Sequence, residues 1–254
     1  MLFFPYRDEN KTIRTPVVTF ALIAANFLGW FLVQGAGMTV ALLESVCNLG
    51  LIPGELTLRA EVGDGLPIAP GIACLVDPGR APEHIFTSMF LHGSWSHIIG
   101  NMWFLWLFGN NVEDSMGRAR FLVFYLLSGI GAAAAQVLAN PASIVPMVGA
   151  SGAIAGVMGA YIVLYPRVRV YYLFWLFVFI TTIAVPAWVT LGYWIVTQVL
   201  IGLSGVETSV AIAAHVGGFV VGALMIKLFA RPELVRMHRA HHWRPRHEGF
   251  DRRR

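Results

Sequence analysis

Ser151-Gly-Ala-Ile-Ala-Gly-Val-Met-Gly-Ala-Tyr-Ile-Val-Leu-Tyr165 is the stretch that decides the fold. It is apolar enough for a membrane span, yet as a helix it reaches only roughly 21 Å, short of the ~30 Å hydrocarbon core. Arg167 and Arg169 follow it and would hold its end at the cytoplasmic headgroups. Its N-terminus, at Ser151, would then stop below the opposite face. A serine in such a place proves little by itself, because its hydroxyl can bond back to its own helix. His215, in Ala213-Ala-His-Val-Gly-Gly218, lies inside a second apolar run. Ionisable side chains in spans are costly and face a partner or a water-filled cavity. His97 and Asn101 lie in a third run, four residues apart and hence on one helix face.

The rest of the chain agrees with a membrane setting. Of its 254 residues 57% are hydrophobic and 13% charged, and the mean hydropathy is +0.66; a soluble domain is excluded on those terms. The reading is six spans, at about 16–34, 95–111, 120–138, 151–165, 186–202 and 209–229. Arg7, Lys11 and Arg14 precede the first, and Arg118 and Arg120 separate the second from the third. The tail from Lys227 is rich in Arg. The intervening loops lack such an excess: 37–94 carries Glu44, Glu55, Glu61, Asp64, Asp77 and Glu83 against Arg59 and Arg80. Loop 140–150 has no charge, and 203–208 has only Glu207. The positive-inside rule puts both termini in the cytoplasm. The organisation is a cytoplasmic N-terminus (1–15), a six-span unit (16–229) with a long outer loop (37–94), and a basic cytoplasmic tail (230–254). Basic residues in that tail read as a topological anchor rather than a nucleic-acid site. Met1 to Arg14 lacks the apolar core of a cleavable signal.

Two regions are ambiguous. Val170 to Val185 is apolar and aromatic; as one helix with the next span it would be roughly 50 Å long, and as a second span it would send the Arg-rich tail outside. It reads as an interfacial or re-entrant aromatic segment ending near Pro186. Loop 37–94 is long for a connector and reads as partly structured on the membrane. Cys47 and Cys74 both lie in it, either as free thiols or as a disulfide if that side is oxidising.

Depth joins the polar residues. His215 lies six residues into the last span, about 9 Å below the outer surface, close to the expected level of Ser151. The non-helical stretch 140–150 dips to the same level and needs water or protein partners there. Hydrolysis needs that water as well. The N-terminus of a helix at Ser151 presents free N–H groups that suit a developing oxyanion. Gly152 and Gly156, and Gly218 and Gly222, give two small-residue faces that let helix backbones approach closely. Serine, histidine and a His/Asn donor pair near one face are the parts of a serine hydrolase.

The chain resembles the rhomboid family of intramembrane serine proteases. The likeness rests on His92-Gly-Ser-Trp-Ser-His97-Ile-Ile-Gly-Asn101, Gly149-Ala-Ser-Gly-Ala-Ile-Ala-Gly156, His215-Val-Gly-Gly-Phe-Val-Val-Gly222, Phe108-Gly-Asn-Asn-Val-Glu-Asp114 and Val185-Pro-Ala-Trp188. The resemblance implies an all-α polytopic bundle of six transmembrane helices, with a short fourth helix whose N-terminus is buried. It implies Ser151 as nucleophile and His215 as general base and later acid. His97, Asn101 and the backbone of Gly149, Ala150 and Ser151 would bind the oxyanion. The implied substrates are transmembrane segments of other proteins, admitted laterally near span five, with no metal or cofactor. A bacterial plasma membrane is the expected location; the oligomeric state is left open. His92 reads as structural. Two departures stand out. Some members carry a tyrosine four residues after the nucleophile that packs on the base, where this chain has Ala155. Many have a Trp-Arg pair in the first loop, and no Trp lies between Met38 and Ser94.

Three rival readings are weaker. A non-cutting relative that only binds transmembrane clients would be expected to have lost Ser151 or His215. A transporter would spread its polar groups through the membrane and often pair carboxylates, yet no Asp or Glu falls in the six spans. A metal site at His238, His241, His242 and His247 has no carboxylate or thiolate frame.

Overall fold

Each of the six apolar runs forms a helix: α1 (Val17–Val33), α5 (Trp95–Phe104), α7 (Arg118–Ala139), α8 (Ser151–Leu164), α9 (Ala187–Leu203) and α10 (Ile212–Phe229). α5 runs on through a π-type turn (Leu105–Gly109) into α6 (Asn110–Met116). A computed structural model of the chain describes residues 2–69, 72–79, 81–176, 179–204 and 211–242. Arg80, Glu207 and His247, the side chains of His238, His241 and His242, and residues 177–178 lie outside that description, as does the tail from 243 onward. By length and composition α7 and α10 are long and apolar enough to cross a membrane; Val17–Val33, Ser151–Leu164 and Ala187–Leu203 are shorter apolar helices.

α8 is the central element. Every residue from Gly152 to Tyr161 is buried, as expected of a helix apolar all round. Its glycines are what let α7 and α10 close on it. A Cβ on Gly152 would stand 2.6 Å from the Ala132 Cβ of α7. A Cβ on Gly218 or Gly222 would collide with the carbonyl oxygens of Gly152 and Gly156. These small-residue faces put the α8 and α10 backbones in direct contact.

At the far end of α8 from Ser151, the Phe108–Asp114 stretch ties the bundle together. Glu113 accepts from Val18 N (3.1 Å), Thr19 N (2.8 Å) and Thr19 Oγ1 (2.8 Å). It therefore caps the N-terminus of α1, whose N-cap residue, Pro16, makes no side-chain cap hydrogen bond. Asp114 accepts from Ile13 N at 2.7 Å and pairs with Arg14 Nε at 2.8 Å. Asn111 Nδ2 donates to Asp8 at 2.7 Å, and the buried Tyr161 hydroxyl donates to the same carboxylate.

Asp8 ends a strand, β1 (Leu2–Asp8), which corrects the all-α expectation. The chain is mostly helical but not all-α. The segment expected to be interfacial or re-entrant is an antiparallel hairpin, β4 (Arg169–Leu176) and β5 (Phe179–Pro186), and β1 joins it in the order β1-β4-β5. Tyr171, Tyr172, Phe174, Ile180, Thr181, Thr182, Ile183 and Val185 are the β-branched and aromatic types that suit a pleated, half-buried surface. Its end at Pro186 is as expected, because α9 starts at Ala187. Trp103 Nε1 donates to Pro5 O at 2.6 Å and fastens the sheet to α5.

The long loop is structured. It holds α2 (Thr39–Leu49), α3 (Pro53–Thr57), a hairpin of β2 (Gly65–Ala69) and β3 (Ile72–Leu75), and the short α4 (His84–Thr87). Cys47 and Cys74 form a disulfide that staples α2 to β3. The loop and the segment that precedes Ser151 are also joined. Leu51 and Met147 exchange backbone hydrogen bonds of 3.0 and 2.8 Å, Gly54 N donates to Ser143 O at 2.8 Å, and Thr57 Oγ1 donates to Pro141 O.

Candidate active site

Gly149 sets the turn into α8. Its φ of +126° is a conformation L side chains rarely adopt, and a Cβ there would stand 2.8 Å from His97 Nε2. Its N–H donates to Ser88 O at 2.8 Å, which fixes the turn against the long loop. Ala150, fully buried, is the N-cap residue and offers no side-chain cap. The first N–H groups of α8 are therefore left for another acceptor. Ser151 opens the helix and is half-buried.

His215 lies in the first turn of α10, next to Ala214, whose N–H is accepted by Gln136 Oε1 at 3.2 Å. The close approach of α8 and α10 brings its Nε2 to 2.8 Å from Ser151 Oγ. Its Nδ1 lies 2.8 Å from Gln198 Oε1 on α9. A carboxamide oxygen only accepts, so Nδ1 carries the proton and the Nε2 lone pair faces the serine; this tautomer is inferred from the network. The Trp194 ring lies 5.6 Å from the imidazole, tilted by 38°.

His97 approaches the same turn. Ser94 caps α5 by accepting from His97 N at 3.1 Å. Gly93 N donates to His97 Nδ1 at 3.3 Å, so Nε2 carries the ring proton and faces Gly149. Asn101, on the same face of α5, is 8% exposed and its Nδ2 has no partner among the described residues. A buried unpaired donor costs roughly 1–3 kcal/mol, so a group that accepts from it is favoured. His92 is fully buried and packs edge-on against His97, with centroids 5.1 Å apart. Gln34 holds its backbone by accepting from His92 N and donating to His92 O, both at 2.8 Å.

The structure thus brings Ser151 to His215 and His97 to Gly149, and places Asn101 one turn along from His97. Gln198 and Trp194 were missed in the sequence. The available signal was a glutamine in a mostly apolar helix, a polar group that needs a hydrogen-bond partner when it packs inside. Among the described residues no group of three His, Cys, Asp or Glu side chains is arranged to hold a metal ion.

Residues 81–232 match the Rhomboid domain family, a stretch that contains Ser88, His92, His97, Asn101, Gln136, Ser151, Gln198 and His215. The chain belongs to the rhomboid family. It is 36% identical over 149 residues to the putative rhomboid protease YdcA of Bacillus subtilis, covering 58% of this chain and 61% of that one. With the mitochondrial Rhomboid protein 1 of Saccharomyces cerevisiae the identity is 30% over 149 residues, 55% of this rhomboid and 40% of the yeast protein. With Rhomboid-like protease 5 of Toxoplasma gondii it is 30% over 145 residues, 54% and 15% of the two chains. The rhomboid described here therefore spans less than two thirds of each of these relatives.

Proposed function

We propose that this rhomboid is an intramembrane serine endopeptidase that cleaves transmembrane segments of other proteins through a Ser151–His215 dyad. The observation that carries the reading is the 2.8 Å contact of Ser151 Oγ with His215 Nε2, with a proton acceptor facing the hydroxyl. Six membrane-crossing helices place the short α8 with its N-terminus below the outer face, in a water-filled cavity open to that side. Both termini lie in the cytoplasm. The Cys47–Cys74 disulfide supports an oxidising compartment around the long loop, and a bacterial plasma membrane fits that arrangement.

In the proposed reaction a substrate helix enters laterally near α9 and unwinds beside Ser151. Oγ attacks the peptide carbonyl as its proton passes to His215 Nε2. The oxyanion is held by His97 Nε2–H, by Asn101 Nδ2–H and by the backbone N–H of Ser151, in the turn made by Gly149 and Ala150. Collapse breaks the C–N bond, and His215 returns the proton to the leaving amine. A water then hydrolyses the acyl-enzyme by the same steps in reverse roles. No metal or cofactor takes part.

The test is cleavage of a reporter transmembrane substrate in liposomes by wild type, Ser151→Ala and His215→Ala. Cleavage by wild type alone supports the dyad, and labelling of Ser151 by a fluorophosphonate reports the activated hydroxyl without a substrate helix. Equal cleavage by all three proteins rejects this site.

A further inference from the structure

The imidazole of His215 needs something to fix its tautomer and ring plane, and its own helix and α8 do not supply it. Ala155, one turn beyond Ser151 on α8, is buried and has no group that could bind or stack on a ring. Among the described residues, two further contacts to the imidazole come from α9. Gln198 Oε1 takes the Nδ1 proton at 2.8 Å, and Trp194, four residues earlier on the same face, lies against the ring. We propose that Gln198, backed by Trp194, is the positioning residue of the dyad: its carboxamide selects the Nδ1–H tautomer that leaves Nε2 free to accept from Ser151. This rests on the dyad reading above.

The chemistry suits the site. Without an acceptor at Nδ1, a neutral imidazole can place its proton on Nε2, where it cannot serve as a base. When Nε2 takes the serine proton, the ring becomes cationic, and the bond from Nδ1–H to Gln198 becomes charge-assisted. The carboxamide does this without bringing a second charge into an apolar helix, where a carboxylate would be costly.

The location adds a consequence. The buried residues of α9 are Ala187, Thr190 and Leu191, all near its start. Beyond them Val196, Val199, Leu200, Ile201 and Leu203 are exposed. Gln198, itself half-buried, thus sits on the half of α9 that the rest of the chain covers least, so alignment of the base depends on that half being seated against α10.

The experiment compares wild type with Gln198→Leu, close in shape but unable to accept, and Gln198→Glu, which keeps the acceptor. In Gln198→Leu, kcat for the reporter falls about 10- to 100-fold, the range for loss of a hydrogen bond to a charged group, while KM stays within about twofold. Fluorophosphonate labelling of Ser151 slows in parallel, and the ¹⁵N spectrum of histidine-labelled protein shows His215 losing its Nδ1–H signature. The signal is assigned by its disappearance in His215→Asn. Gln198→Glu recovers at least part of the labelling rate. Unchanged kcat, or a fall in kcat with the His215 tautomer and labelling rate unaltered, overturns the proposal. Ser151→Ala and His215→Ala run alongside separate the two readings. If both are inactive and Gln198→Leu matches wild type, only the role of Gln198 fails; if both cleave, the dyad and this role fall together.

Discussion

Asp8 ends β1 with its carboxylate packed between Tyr161 and Asn111, and burial lifts it from the ordinary 3.8 to about 7, against the lowering effect of hydrogen bonds from Tyr161, the Asn10 backbone and Asn111. A strand released from the sheet would expose this carboxyl to water and return it to the ordinary value. Between about pH 4 and 7 the docked form therefore binds the extra proton, so docking is favoured by acid and loses that advantage as pH rises through about 7. From pH 5 to pH 8 those two values give an upper bound of roughly 2.5 kcal/mol, near a hundredfold in the opening equilibrium. Asp8 keeps some surface beside a cleft lined by Arg7, Asn10 and Lys11. Solvent screening there brings the expected effect to about 10- to 100-fold. The assay is hydrogen–deuterium exchange of the peptide spanning Leu2–Asp8 in detergent across that range, corrected for intrinsic exchange rates. Exchange should speed as pH rises, and Asp8→Asn should flatten the profile. A corrected profile flat in wild type, or a trend that survives Asp8→Asn, refutes the reasoning.

Two further substitutions probe the site and the bundle. Gly149→Ala forces a Cβ onto a backbone at φ +126° and to 2.8 Å from His97 Nε2. We expect cleavage and fluorophosphonate labelling to fall more than about tenfold, as a local strain of about 1–3 kcal/mol is enough to displace the turn. Glu113→Ala strips the acceptor from Val18 N, Thr19 N and Thr19 Oγ1. It should lower the thermal midpoint through a loss of roughly 1–3 kcal/mol, while Glu113→Gln keeps an acceptor and loses less. A midpoint unchanged in Glu113→Ala would show that water replaces the cap.

The legible parts of this rhomboid are those whose physics is local. Helix positions followed from apolar runs. The break before α9 followed from Pro186, and the pairing of His97 with Asn101 followed from helical spacing. The family could be read from its ordered motifs, two of which set Ser151 and His215 beside glycines whose close helix contacts the structure shows. The sheet was misread because β1 meets β4 across most of the chain. Aromatic residues near a presumed membrane surface look alike whether the backbone is helical or extended. Glu113 was visible as an acidic residue in a motif, but its role as the cap of α1 exists only once α6 and α1 meet. Cys47 and Cys74 offered two states until the hairpin brought β3 against α2.

The sequence by itself determined the membrane setting, the six helices and the family, and it singled out Ser151, His215, His97 and Asn101 as candidates, because hydropathy, charge placement and helical period are carried by neighbouring residues. Only the tertiary structure decided that α8 and α10 touch backbone to backbone, that the turn before Ser151 hangs from the long loop, and that Gln198 and Trp194 on a separate helix contact His215. Those are contacts between segments far apart in the chain, set by which small faces can approach and which buried donors must find an acceptor, and no local pattern records them.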